Sequence, residues 1–346
     1  MLDKGSWELE GASMLALRNK IRSGKPTLKG VYGLPLYGIK TGLNAAFVID
    51  TEIKDRLCAE DARSIELLKP FLEGKDLKRW RAEPRGRWLI YIPKNRVNID
   101  DYPVIRDWLL PFRGRLEKRA TKQKWFELQQ AQEAYVPHFN GPKIAYKDIG
   151  NGAPFHVDTS GAFLANTGYF IPTGEHHIAA YLNSRVFWFT YLNVSAQLRG
   201  GYVRFFSNHL GEMPIPELSP TVKGELSDLS KIVHQDAEKR LILQRAFIRR
   251  IPDLCPPERQ PKLTKKLKEW WRLPDFAAFR TEIKKAFKAD IPLAERSDWE
   301  DWIDRDRAEI NRLSAEVAEA EMRIDRIVYG LFDLTREEIE FLEASI

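Results

Sequence analysis

The change of punctuation at Pro214-Ile215-Pro216 constrains this chain of 346 residues more than any other feature. Upstream, from Val31 on, short apolar or alternating runs at 30–37, 46–50, 88–93, 143–146 and 155–158 are broken by Gly, Pro and Asn. Such runs fit the strands of an irregular mixed sheet. Helical spacing interrupts them at about 61–72, 102–121 and 175–193, and one short helix at about 11–22 precedes them. Downstream the glycines thin to two, Gly224 and Gly330, and the periodicity is helical over 217–248, 261–272, 275–288 and 297–331. In the last stretch Ile303, Ile310, Leu313, Val317, Ala320, Ile324, Ile327 and Leu331 form a heptad seam too short for a free coiled coil, which predicts packing on the 217–248 helix. The expected fold is α+β: a helix and linker over 1–30, an irregular mixed β-sheet domain over 31–216, and a helical bundle or coiled-coil-like part over 217–346.

Charge divides the same way. The net charge of +6 conceals 16 acidic against 7 basic residues from Glu295 onward, so the preceding 294 residues carry an excess of 15 positive charges. A basic body suggests a polyanion partner, and a solvated surface with a Glu-rich helix accounts for the same numbers. The opening Met1-Leu2-Asp3-Lys4-Gly5 has no apolar leader and no run is long enough for a membrane span. The two cysteines, Cys58 and Cys255, suit a reduced, cytoplasmic setting, with a single disulfide the alternative.

Several chemistries have no motif here. No Asn-Pro-Pro-Tyr or Asp-Pro-Pro-Tyr segment holds a flipped base. No Gly-rich loop opens a helix after a strand, no Cys/His cluster has zinc spacing, and no nucleophile has evident partners. His176-His177 project about 100° apart on a helix and do not make one metal site. A nuclease-like string, Asp275 with Glu282 and Lys284, sits in helical spacing, so Asp275 reads as an N-cap and Glu282 and Lys284 as a solvated face. The expected site inventory is therefore no catalytic residue, no metal and no cofactor in this chain.

The segment Gly38-Ile39-Lys40-Thr41-Gly42-Leu43-Asn44-Ala45-Ala46-Phe47-Val48-Ile49-Asp50 sharpens the reading. It is followed in order by 68–80 (Leu-Lys-Pro-Phe-Leu-Glu-Gly-Lys-Asp-Leu-Lys-Arg-Trp), 115–119, 125–129, 142–146, 181–184 and 210–216, and the ending 327–339 conforms as well. Together these resemble the TaqI-like C-terminal specificity domain, which supplies target recognition in TaqI-type adenine methyltransferases, fused type II restriction–modification enzymes and related BREX-type defence methyltransferases. The resemblance implies recognition of double-stranded DNA beside an adenine-N6 methyltransferase catalytic half, in cis or in trans, that binds S-adenosylmethionine; residues 1–30 would be the linker from that half. It does not imply that this chain methylates. The parent enzyme either modifies only or also restricts. A rival reading is a separate specificity or scaffold subunit that assembles with methyltransferase and nuclease partners.

Residue chemistry nominates the contacts. Lys40, Thr41 and Asn44 can reach phosphate or base edges, or merely flank a tight turn held by Gly38 and Gly42. On a strand, Asp76, Lys78 and Trp80 would share one face and Lys75, Leu77 and Arg79 the other, with Asp76 pairing Arg79 or Lys78; Lys75 and Arg79 are the phosphate candidates. Arg113, Arg115, Lys118, Arg119, Lys122 and Lys124 form the densest basic stretch, opposed only by Glu117, and read either as a DNA grip or as a solvated helix face. Gln129, Gln130 and Gln132, which follow, can read adenine or order the loop. Lys143, Arg199 and Arg204 complete the candidates, the arginines flanking a glycine pair that suits a groove-entering loop or a plain turn. Trp188 and its aromatic neighbours, like Trp270 and Trp271, read as core.

Overall fold

The computed structural model describes residues 4–346; the side chains before Gly11 and that of Gln197 lie outside the description, as do residues 1–3 and the reading of an absent leader there. The chain forms two compact units, one from the residues up to Ser230 together with Ile324–Ile346, the other from Lys231–Arg323. The fold is α+β.

The first unit carries strands β1 (Leu36–Tyr37), β2 (Val48–Asp50), β3 (Leu68–Leu72), β4 (Leu77–Lys78), β5 (Arg81–Ala82), β6 (Arg87–Ile90), β7 (Lys143–Lys147), β8 (Ile149–Gly150), β9 (His156–Asp158), β10 (Phe163–Leu164), β11 (Gly168–Ile171), β12 (Gln197–Leu198) and β13 (Tyr202–Arg204). They pair as β1-β11-β7-β9, β10-β3-β6-β2, β12-β13-β8 and the hairpin β4-β5. One pair, β10 with β3, is parallel; Phe163 lies opposite Phe71 there. The two four-stranded sheets share a core in which the Phe139 ring sits 4.8 Å from Phe163 and 5.2 Å from Phe170. Each such buried ring contributes roughly 1.5–3 kcal/mol of transfer free energy.

Local pattern and structure diverge where tertiary contacts decide. Residues 61–72 are not one helix: a 3-10 segment, Ala62–Leu67, gives way to β3. Pro70 ends any helix here, and the parallel ladder to β10 begins at Phe71, so the missing N–H leaves no gap in it. The 102–121 stretch is helical over 103–116, as Pro103–Leu109, a 3-10 turn Leu110–Phe112 and Arg113–Leu116, and leaves the helix after Leu116. The 175–193 helix breaks at Asn183-Ser184, where the Ser184 hydroxyl accepts from Phe187 N and caps a second helix, Arg185–Leu192. The expected strands at 30–37 and 46–50 each begin instead with a short helix, Leu28–Tyr32 and Asn44–Phe47.

The second unit is helical. Phe247, Trp270, Phe279, Ile283, Ile303 and Ile310 share its core, with Trp270 stacked 4.1 Å from Phe247. The helices Pro220–Arg250 and Arg296–Leu331 meet here, where Arg240 donates to the Ser314 hydroxyl at 3.0 Å. The heptad seam is buried through Ile324 and then continues at Val328 rather than Ile327, the drift expected when a 3.6-residue helix departs from a 3.5-residue repeat. Around 261–272 only Lys265–Lys268 and a 3-10 turn, Trp270–Arg272, are helical. Asp275 is an N-cap, accepting from Ala278 N at 2.7 Å. Glu282 corrects the solvated-face reading: it is buried and pairs with Lys266 at 3.2 Å, while Lys284 pairs with Asp290. Among the described residues no group of His, Cys, Asp and Glu could hold a metal ion, both cysteines are free thiols, and no helix is long and apolar enough to cross a membrane.

The turn Ala165–Gly168 joins the sheets to the loops of the first unit. A Cβ on Gly38 would lie 2.1 Å from Ala165 O, and one on Gly74 2.3 Å from Thr167 O, both against backbone. Gly38→Ala and Gly74→Ala are therefore each expected to cost about 3 kcal/mol in chemical denaturation, whereas Gly114→Ala, with open space around it, should be neutral. Equal midpoints for all three would contradict this packing.

Candidate nucleic-acid interface

The 38–44 segment and the 113–130 loop, separate in sequence, form one structure. Lys40 and Gln130 exchange backbone hydrogen bonds at 3.1 and 2.9 Å, and Gln129 N donates to Thr41 O. Gly42, at φ 80°, leaves room for Arg119, whose Cδ would lie 2.6 Å from an added Cβ. Arg119 then spends all five N–H donors on backbone carbonyls: Leu116, Thr41, Glu127, Lys124 and Trp125, at 2.8 to 3.3 Å. Its guanidinium is a clasp between the two segments, and burial lowers its pKa. From the other side the buried Glu127 carboxylate accepts from Asn95 N and Lys124 N, both at 2.8 Å.

Glu127 is buried and Arg119 half-buried. Arg119 and Glu127 line a surface bowl of about 520 Å³ with Lys94, Lys122 and Lys124. Lys40, Arg115, Lys118, Lys122 and Lys124 are exposed. Among the described residues none of these five has a carboxylate partner, although Lys124 lies over the Phe126 ring. Arg113 pairs with Glu117 at 2.7 Å and rests over the Trp125 ring. Thr41 is buried and its hydroxyl donates to Asn44 Oδ1 at 2.6 Å, so Thr41 serves the turn while Asn44 stays exposed.

The other nominated residues have different surroundings. Asp76, Lys78 and Trp80 do not share a strand face: β4 and β5 form a hairpin with Trp80 buried at φ 66° in its turn. Asp76 is buried and pairs with Arg85, not with Arg79 or Lys78. Lys75 pairs with Glu73 at 3.3 Å, and Arg79 lies over the Trp80 ring. Lys143 is fully buried, 2.7 Å from Asp158, and donates to Phe139 O. Burial would raise the Asp158 carboxyl, but Lys143, His156 and Ser160 outweigh it and hold it below its ordinary value. His156 beside them is pushed down to about 4 by burial. Lys143 thus belongs to a core charge cluster and presents no ammonium to solvent. Arg199 with Gly200 and Gly201 forms the turn of the β12-β13 hairpin, and Arg204, exposed on β13, lies over the Phe206 ring.

Sequence reasoning missed Glu127, Lys94, Asn95, Arg85 and the 165–168 turn. For Glu127 a signal existed: a carboxylate three residues after the last of a run of cations, Lys124. The rest follow from strand pairing, which leaves no local trace.

With this geometry in place, comparison with known proteins is specific. Residues 69–215 match the TaqI-like C-terminal specificity domain, and residues 219–328 match a domain of unknown function, DUF8810. The chain is 25% identical over 213 residues to the type II methyltransferase M.MjaIV of Methanocaldococcus jannaschii, covering 56% of this chain and 68% of that protein. It is 24% identical over 224 residues to the type II methyltransferase M.PaeR7I of Pseudomonas aeruginosa, covering 61% of this chain and 37% of that protein. Among solved structures, the type IIL restriction–modification enzyme MmeI in complex with DNA aligns over 94% of this chain and 36% of its own length, with a TM-score of 0.47 and 15% identity. The chain therefore spans little more than a third of the length of M.PaeR7I and of MmeI. The class indicated for residues 69–215 is that of a specificity domain. More particularly, residues 69–215 belong to the TaqI-like C-terminal specificity domain family.

If Arg119 clasps the loop, Arg119→Lys, with three donors on one nitrogen, should not replace it. A loss of about 2 kcal/mol and faster proteolysis within 117–130 are expected. A phosphate-contact role alone would leave the melting temperature and the proteolysis rate of Arg119→Lys unchanged.

Proposed function

We propose that the first unit recognises double-stranded DNA as the specificity part of a site-specific adenine-N6 methyltransferase or a fused restriction–modification enzyme. The observation that carries this is the clasped loop, which lies within the residues 69–215 that match the specificity-domain family; its Arg115, Lys118, Lys122 and Lys124, with Lys40 beside them, are exposed and have no carboxylate partner among the described residues. In this reading Lys40, Arg115, Lys118, Lys122 and Lys124 neutralise phosphates and fix register, and Asn44 and Gln130 lie near enough in the chain to reach base edges. Arg199 and Arg204 extend the cationic surface, whereas Thr41, Arg119 and Lys143 shape it from within. Methyl transfer belongs to a catalytic half, in cis or in trans, with S-adenosylmethionine bound there; this chain supplies address and no step of the chemistry. The setting is cytoplasmic, where cellular DNA and phage genomes meet such enzymes.

Charge neutralisation makes the reading measurable. Five phosphate contacts predict a slope of about −4.5 in log K against log salt for a duplex titrated by fluorescence anisotropy. Replacing Lys118, Lys122 and Lys124 together by Ala should flatten that slope by about 2.7 and leave the melting temperature unchanged. A slope equal to that of the parent would place the DNA elsewhere.

A further inference from the structure

The cleft between Leu34–Tyr37 and Phe206–His209 carries chemistry that the cationic loop does not. It encloses about 480 Å³, with Tyr169 of β11 also in its lining, and no carboxylate lines it. Tyr37 is 41% exposed and Phe206 44%, which leaves two aromatic rings of the lining in water. Tyr135 meets Tyr37 edge-on at 6.1 Å, and Tyr146 stacks under Tyr169 at 5.7 Å, so the rings are fixed from behind. His209 Nδ1, on the wall with Phe206, is buried and has no hydrogen-bond partner among the described residues. Asn208 beside it is exposed, and the Arg204 guanidinium lies 5.5 Å from the Phe206 ring centroid.

A group with a flat π-face, polar atoms on its edge and a negative charge matches the exposed rings, Asn208 and Arg204. We propose that this cleft takes one unstacked nucleotide of the DNA, its base against Phe206 and Tyr37, its edge on Asn208, and its phosphate toward Arg204. The inference rests on the duplex-recognition reading. A base inside the stack hides its faces from aromatic side chains, so the occupant is a nucleotide displaced from the duplex.

The test uses the full chain and two short duplexes, one fully paired and one with a single bulged 2-aminopurine, compared at low salt. The bulged duplex should bind about tenfold more tightly and its 2-aminopurine fluorescence should fall on binding. Phe206→Ala should abolish that preference without changing affinity for the paired duplex, and Phe206→Tyr should retain it. Equal affinity for the two duplexes, or a preference that survives Phe206→Ala, overturns the cleft assignment and leaves duplex recognition standing. Binding of neither duplex overturns both.

Discussion

At the turn Ala165–Gly168, three separate stretches of backbone converge. Ile39 N donates to Leu164 O and Asn166 N to Ile39 O; Gly38 N reaches Gly168 O; Gly74 N reaches the Thr167 hydroxyl; and Asp148 N reaches Thr167 O. These contacts tie the 38–44 segment, the 74–82 hairpin and the β7-β8 corner to one point. They require two residues without side chains, because a Cβ at Gly38 or Gly74 would overlap a carbonyl oxygen. With that turn set, Lys40 emerges at the sheet edge beside Gln130 and the Arg119 clasp closes over it. The exposed cations are thus positioned by buried polar contacts, and the function proposed for them depends on a backbone arrangement that carries no charge itself.

Much of this was legible in the sequence where periodicity is long. The helices Phe276–Phe287 and Arg296–Leu331 follow their apolar spacing, Asp275 caps as its position implies, and β7 and β9 coincide with the 143–146 and 155–158 runs. The ordered motifs pointed to the family that residues 69–215 match. What failed was local reading of side chains whose partners are distant. Lys143 and Asp158 neutralise one another only because β7 lies next to β9, and Asp76 finds Arg85 only because a hairpin turns at Trp80. Arg119 looks like its neighbours Lys118 and Lys122 in a string of cations. It differs because Gly42 opens a slot for it and because five carbonyls converge there. Glu282 was assigned to solvent for a similar reason: Lys266, its partner, lies on another helix.

The division of labour among charges follows from burial. A cation taken out of water must be paired or fully hydrogen-bonded, and Lys143 and Arg119 meet that condition in the two available ways, with a carboxylate and with carbonyls. Cations left in water without a carboxylate keep their charge for a partner, and a phosphodiester backbone is of the sign that matches them. Pairs such as Arg113 with Glu117 or Lys75 with Glu73 are exposed and contribute little to stability; they can exchange a carboxylate for a phosphate at small cost.

Amide hydrogen exchange on the full chain, with and without a saturating DNA duplex at low salt, tests this account most directly. Slowed exchange across 38–44 and 113–130, with a smaller effect at the 198–204 hairpin, is the predicted result. Unchanged exchange in those segments, or protection confined to Lys231–Arg323, would contradict it.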